Sequence, residues 1–331
     1  MERTESKIPF VGLHAHSVVG SVFDGFGYPQ DHMNFAYENG MSALALTDHG
    51  NMNGLSYQVL HAKKMKQAGK DFKPIFGVEA YFVPSVEEWK EEYEKAKLDK
   101  KMAKTISSTD KVSAENEGAS KTRSKNKINA RRHIVLIALN QTGLNNIYKI
   151  VSDSHQGDNF YRYPRLDYKL LKKYGEGIMA SSACLGGVYA GDYWDNREEG
   201  EDAVLEAMRT TTRRMTDALG DRWYGELQWN NVPEQHYLNK YVIKMHDEFG
   251  IELISTADSH YPNPDAWRDR ELYKRLGWLG MSNKPEWLTS ELPIDVDEIG
   301  YELYPKNGDQ MWDSYKKYSE ECGIEYSDEL V

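Results

Sequence analysis

The chain has 331 residues, 40% hydrophobic and 28% charged, the composition of an ordinary globular chain able to bury one large or two modest cores. Its 41 basic and 52 acidic side chains give a formal charge of -11, which excludes bulk electrostatic coating of nucleic acid. Two cysteines exclude a disulfide scaffold, and no stretch approaches the roughly 18 apolar residues of a membrane span, so a cytoplasmic location with no membrane partner is expected.

Short β-type runs recur along the chain, each followed by a helix-like stretch. Strands are predicted at 10–14 (FVGLH), 42–47 (SALALT), 74–79 (PIFGVE), 133–139 (HIVLIAL), 177–182 (GIMASS), 223–228 (WYGELQ) and 251–256 (IELIST). Amphipathic stretches such as "DHMNFAYENG", closed by Gly40, and "PEQHYLNKYVIKMHDEFG", closed by Gly250, lie between them. Alternating β and α units argue for a parallel sheet, and about seven of them for a barrel whose chemistry sits at the strands' C-terminal ends. Residues 85–98 predict an exposed acidic helix, and the polar, apolar-poor stretch 100–132 a mobile insertion. Its cations Lys100, Lys101, Lys104, Lys111, Lys121, Arg123, Lys125, Lys127, Arg131 and Arg132 outnumber its acids and are expected to guide nucleic acid. Beyond residue 280 an extended connector and a short helix are expected. The predicted organisation is therefore a barrel over 1–280, with 85–132 inserted, and a C-terminal extension over 281–331.

Acidic residues and histidines collect at the predicted strand ends. "GLHAHS" places His14 and His16 one residue apart, so both point to one side of a strand end and could grip one ion. Alone, that pattern is common by chance. "LTDHGN" adds Asp48 and His49, "GVEAY" adds Glu79, "SSACLGG" adds Cys184, and "STADSHY" adds Asp258 and His260. A strand-end Asp is often a cap and a buried Cys usually a small hydrophobe, but their joint placement on one barrel face is not a chance pattern. Imidazole, carboxylate and one thiolate suit Zn, Mn or Fe, and so many ligands suggest more than one divalent ion. Clustered ions polarise a phosphoryl oxygen, make hydroxide from water and steady the leaving oxygen, so phosphoester hydrolysis is the expected chemistry. Asp48 is expected to orient the loop or a ligand. Arg165 and Arg162 could meet a substrate phosphate or pair with acidic neighbours. Gln228 is expected near the mouth, with Glu226 structural.

These motifs, together with "FDG", "MSALALTDHGNMNG", "KPIFGVEAYFVPS", "HIVLIALNQTG" and "YPRLDYKLL", closely resemble the PHP (polymerase and histidinol phosphatase) domain of bacterial replicative DNA polymerase III alpha subunits, in order from about residue 9 to 275. The resemblance implies a distorted seven-stranded β/α (TIM-like) barrel and a trinuclear site of nine ligands. Those fall on His14, His16, Asp24, His49, Glu79, His133, Cys184, Asp258 and His260. His133 opens its predicted strand, so its place rests on the resemblance alone. The implied activity is that of a hydrolase: a metal-dependent phosphoesterase, acting as a 3'-5' exonuclease that removes nucleotides from DNA by a metal-bound hydroxide. Asp258, His260 and Asp48 are the candidate catalytic residues, and Arg165 and Gln228 the candidate substrate contacts. A proofreading role in DNA replication would make single-stranded DNA or a primer 3' end the partner, with polymerase or replisome subunits beside it, in the host cytoplasm if the chain is phage-encoded. Two other readings are a structural module docking on a separately encoded polymerase and a small-molecule phosphatase or pyrophosphatase. The carboxylate pair at Asp295 and Asp297 sits in the connector, and no polymerase activity is expected from this chain alone.

Overall fold

A computed structural model describes residues 3–109, 131–280, 288 and 301–331. Its strands are β1 (Ala43–Leu46), β2 (Lys73–Phe82), β3 (Arg132–Ala138), β4 (Phe160–Tyr161), β5 (Tyr163–Leu166), β6 (Ile178–Ser181), β7 (Trp223–Gln228) and β8 (Glu252–Thr256). The helices are α1 (Pro29–Glu38), α2 (Leu55–Gln67), α3 (Val86–Thr109), α4 (Gln141–Ser154), α5 (Tyr168–Tyr174), α6 (Val188–Asn196), α7 (Glu201–Leu219), α8 (Pro233–Phe249), α9 (Trp267–Leu276) and α10 (Gly308–Glu321). Pairing runs β1, β2, β3, β6, β7, β8, with β5 joined to the far end of β2 and β4 to β5.

The predicted first strand is not a ladder. Residues 12–16 instead wedge between β1 and β8 and close the barrel. Their bonds alternate between two neighbours: Ala45 N donates to Gly12 O at 2.7 Å and Thr47 N to Ala15 O at 2.8 Å on one side. On the other, Ser259 N donates to His14 O at 3.0 Å and His16 N to Ser259 O at 2.7 Å. With this segment as a seventh stave the architecture is a distorted β/α barrel.

The sheet departs from a fully parallel one at β3, which runs antiparallel to both β2 and β6. The remaining neighbours along the ring are parallel. A reversed strand begins where the others end, so His133 stands at the barrel's C-terminal mouth although it opens its strand. A short β4–β5 hairpin, also absent from the predicted elements, extends the rim beside Tyr81 and Phe82.

Side-chain alternation sorts each strand into two faces. Ile134 and Leu136 of β3 face outward into the main core with Val78, Ala80 and Phe82, packed under α4 to α8. Val135 and Ile137 point inward with Ala45, Met179 and Ala183, flanked by Leu13, Ile75 and Tyr224. The same parity puts Glu79 on β2 and Glu226 and Gln228 on β7 inside the barrel. The interior thus has an apolar floor beneath a polar, ionisable upper layer. Gly77 permits the close β2–β3 approach, since a Cβ there would meet Leu136 O at 2.5 Å.

The acidic stretch after β2 forms α3, and residues 110–130 lie outside the described residues, with Lys111, Lys121, Arg123, Lys125 and Lys127 among them. Asp295 and Asp297 fall outside as well. No helix among the described residues is long and apolar enough to cross a membrane. Residues 301–331 lie against the barrel: His260 N donates to Leu303 O at 2.7 Å, Asn39 Nδ2 to Pro305 O at 3.0 Å, and Met311 and Tyr315 of α10 belong to the main core.

That packing makes α10 part of the barrel's cooperative unit. Met311→Ala should therefore cost about 2–5 kcal/mol and lower the urea midpoint of the whole barrel, followed by far-UV circular dichroism. A helix hanging from an independent connector would leave that midpoint in place.

Candidate metal centre

Glu79 occupies the centre of the upper layer, 1% exposed. Its Oε1 lies 3.4 Å from His14 Nε2 and 3.0 Å from His133 Nδ1, and its Oε2 lies 3.5 Å from His16 Nε2 and 2.6 Å from His49 Nδ1. Cys184 Sγ is 4.0 Å from Oε1 and 3.8 Å from His133 Nδ1. Asp258 Oδ1 stands 3.2 Å from both His14 Nε2 and His16 Nε2. Asp24 Oδ2 closes the open side, 3.0 Å from His49 Nε2 and 3.4 Å from His260 Nε2. All nine residues named from the sequence as metal ligands are therefore brought together.

Part of the cluster is tied together by hydrogen bonds, between His49 Nε2 and Asp24 Oδ2 and from Cys184 Sγ to Glu79 Oε1, and part is not. His14 Nε2, His16 Nε2, His49 Nδ1, Glu79 Oε2 and Asp258 Oδ1 are buried and have no hydrogen bond. Buried polar atoms are rarely left so, because desolvation without a partner is costly. Three overlapping groups place their donor atoms within 4.8 Å of one another: His16, His49 and His260; His14, His16 and Glu79; His49, Glu79 and His133. This donor set fits divalent ions.

The opposite ring nitrogens are anchored. His14 Nδ1 lies 2.7 Å from Glu226 Oε1, which is also held by Gln228, Thr256 and, through Oε2, Ser181. His260 Nδ1 lies 2.7 Å from Asp258 O, and His16 Nδ1 3.1 Å from Ser21 Oγ, which donates to Asp48 Oδ1. With Nδ1 protonated, each Nε2 keeps its lone pair toward the cluster. Asp48 itself is engaged outside the cluster: Oδ1 accepts from Ser17 N at 2.6 Å and Oδ2 from Ser17 Oγ at 2.9 Å. Burial raises its carboxyl to about 6 despite these bonds.

Charge follows the same geometry. Burial lowers the His14 imidazole, but the Asp258, Glu226 and Glu79 carboxylates outweigh it and hold the ring well above its usual range. Burial likewise opposes protonation of His49, yet Glu79 and Asp24 raise it to about 10. Burial, then Asp258 and Glu79, push the Cys184 thiol well above a free cysteine. Protons on His14 and His49 thus supply positive charge that the carboxylates require, and a divalent ion would displace them.

Backbone strain gathers here too. Four described non-glycine residues have positive φ, and three adjoin or are named ligands: Phe23 before Asp24, Ala183 before Cys184, and Asp258 itself at 47°. After Cys184, Gly187 carries no Cβ because one would meet Ser182 O at 1.9 Å. That tight turn sends Gly186 O back to His133 N, 2.9 Å away.

The two expected substrate contacts are placed differently. Gln228 is buried on the wall of a cleft of about 220 Å³ that also meets Cys184, Asp258, Arg270 and Tyr301. Arg165 is 1% exposed, donates from Nη1 to the carbonyls of Tyr161 and Tyr163, and lies 4.2 Å over Trp89. Arg162 lies over Tyr161. Sequence reasoning gave one of the supporting residues a structural part and missed another. Glu226, read as structural, orients His14. Arg270 of α9 donates to Asp24 O at 2.9 Å and Oδ1 at 2.6 Å, fixing the loop that carries this ligand. Glu226 was visible as a charge on an otherwise inward-facing strand position; nothing in "WRDREL" announced Arg270.

A family model described as the PHP domain matches residues 12–230. The DNA polymerase III subunit alpha of Aquifex aeolicus is 34% identical over 281 residues, covering 85% of this chain and 20% of that protein. That of Borreliella burgdorferi is 30% identical over 299 residues, covering 89% and 22%. The chain thus spans about a fifth of the length of these curated relatives. The crystal structure of a candidate metal-dependent phosphoesterase from Bifidobacterium adolescentis aligns at TM-score 0.42 and 13% identity, covering 81% of this chain and 98% of that one.

Metal uptake should release protons, because the Cys184 thiol and the raised imidazoles bind ions only after deprotonation. Titration calorimetry in two buffers of different ionisation enthalpy should show affinity rising from pH 6 to 8 and Cys184→Ala releasing about one proton fewer. Equal release by both proteins would show that the thiol is not a ligand.

Proposed function

Because the chain belongs to the PHP domain family, we propose that it is a metal-dependent phosphoesterase whose nine clustered side chains hold divalent ions and cleave phosphodiesters, most specifically at DNA 3' ends. The observation that carries this reading is the set of five buried donor atoms left without hydrogen bonds around Glu79. The three overlapping donor groups support three ions, and the mixed imidazole, carboxylate and thiolate set supports Zn, Mn or Fe. Relatives named DNA polymerase III subunit alpha support DNA as substrate and a proofreading role beside polymerase or replisome subunits in the cytoplasm.

Bound ions would supply Lewis acidity for the phosphoryl oxygen and hydroxide near neutral pH. The chain's own residues do the positioning. Glu79, with two histidines at each carboxylate oxygen, would hold ions together with those imidazoles. Glu226, Ser21 and the Asp258 carbonyl set the imidazole tautomers, and Asp48 holds Ser21 and the loop at Ser17. Asp258 Oδ1, which accepts no hydrogen bond and lies 3.2 Å from both His14 Nε2 and His16 Nε2, would be offered to an ion together with those imidazoles. Substrate approaches the exposed edge, where the Asp24 side chain is 36% and His133 21% accessible, against 1% for Glu79. Gln228 lines the adjoining cleft and is proposed to meet the substrate there.

A second reading, a structural module that docks on a polymerase, draws support from Val22, Phe23, Leu276 and Leu279, apolar residues exposed on the loop and helix that carry and clamp Asp24. The two separate in one experiment. Protein loaded with Mn, Zn or Fe should shorten 5'-labelled single-stranded DNA from its 3' end. His14→Ala, His49→Ala and Asp258→Ala should each lose bound metal and at least about 100-fold in rate while keeping the wild-type circular dichroism spectrum. If the loaded wild type hydrolyses neither DNA nor bis-p-nitrophenyl phosphate faster than His14→Ala, the docking reading replaces the enzymatic one.

A further inference from the structure

Nucleic-acid chemistry at this centre needs a cation for the phosphate, and most cations around the mouth are already engaged. Arg270 is spent on Asp24 and Glu271, Lys274 on Glu271, and Arg132 on Asp195. Arg165 is spent on backbone carbonyls and Trp89. Arg131 differs. Among the described residues no carboxylate lies within ion-pair distance of it, and its Nε is buried with no hydrogen-bond partner.

Its position is defined by rings. The guanidinium carbon lies 3.7 Å from the centroid of Tyr163 and 5.4 Å from that of Tyr81. Tyr81 in turn lies 5.5 Å from His133 and 6.2 Å from His49. Arg131 immediately precedes β3, two residues before His133, so both side chains are directed toward the same face of an extended chain. Read from sequence alone, Arg131 belonged with the diffuse positive charge of the insertion; the fold anchors it at the accessible His133 edge of the metal cluster.

We propose that Arg131 is the phosphate-binding residue of this centre, its guanidinium held over the Tyr163 ring and presented to a phosphodiester of single-stranded DNA entering at the His133 edge. The inference rests on the phosphoesterase reading for its setting but makes a separate claim about binding. A planar guanidinium offers paired donors that match two phosphate oxygens, which an ammonium cannot reproduce, and ring stacking removes the freedom that would otherwise be lost on binding. In a chain of net charge -11, a guanidinium beside the centre with no carboxylate partner among the described residues also provides the local attraction that the overall charge denies.

The test is binding of a fluorescein-labelled single-stranded oligonucleotide at several salt concentrations with EDTA present, so that no hydrolysis is required. Arg131→Ala should weaken binding about tenfold and reduce the salt slope by about 0.7, the value for one lost phosphate contact on a single strand. Arg131→Lys should restore the slope but only part of the affinity, and its melting temperature should match wild type. Absence of wild-type binding, or an unchanged affinity and slope in Arg131→Ala, overturns the assignment; a lower melting temperature with an unchanged slope would show that Arg131 only braces Tyr163. If the wild type hydrolyses no phosphoester yet the slope still falls in Arg131→Ala, the phosphoesterase reading fails and the phosphate site stands. If hydrolysis persists while binding by Arg131→Ala matches wild type, the reverse holds.

Discussion

Everything in the upper barrel answers to one carboxylate in the wrong place for a carboxylate. Glu79 is almost fully buried in the middle of a strand, where an unpaired charge would cost several kcal/mol. The chain meets that cost with a shell of nitrogen donors from four separate segments: the barrel-closing 12–16 stave, the loop after β1, the start of β3, and, one step further out, the turn after β8. Each of these segments is bent to reach it. The stave gives up a regular ladder, β3 reverses, and the loop after β1 is tied back by Gly50 N donating to Glu79 O at 2.7 Å. A hydrocarbon at position 79 would be easier to bury but would leave the four histidines around it without a carboxylate to face.

The electrostatic consequence is a cluster whose carboxylates are balanced by protons. In the protein alone, positive charge comes from protons on buried imidazoles, and the thiol stays neutral because carboxylates surround it. A bound divalent ion would replace those protons with charge that does not dissociate with pH in the same way. The anchored Nδ1 atoms of His14, His16 and His260 mean that little side-chain freedom is lost when that happens.

Much of this was legible in the residues, and the gaps have physical causes. The strand runs at 42–47, 133–139, 177–182, 223–228 and 251–256 were readable because branched and apolar residues alternate there with turn signals on either side. The strand at 74–79 was read three residues short: a glutamate looks like a strand end, and only the partners around Glu79 allow β2 to continue through it to Phe82. Strand direction carries no local signature, so the reversal of β3 could not be read, and the place of His133 had to come from resemblance. The β4–β5 hairpin was missed because "FYRYPRLD" has too few residues to show a period, and its Arg165 looked available until burial assigned it to carbonyls and Trp89. Glu226 and Arg270 act through other residues, at sequence distances of 212 and 246 from their partners, which no motif spans.

The left-handed backbone at Asp258 has a consequence for which acid can stand there. Such a conformation costs most residues about 1–2 kcal/mol, but asparagine and aspartate adopt it more readily, because a short polar side chain can bond its own backbone neighbourhood. Position 258 therefore selects its side chain twice, once for oxygen and once for torsion, and aspartate alone among the acids satisfies both. Glu79, on regular extended chain, faces no torsional filter and is free to be the longer acid, with two histidines at each oxygen. At position 258 the choice of aspartate is thus set by the backbone beneath the carboxylate as well as by what the carboxylate faces.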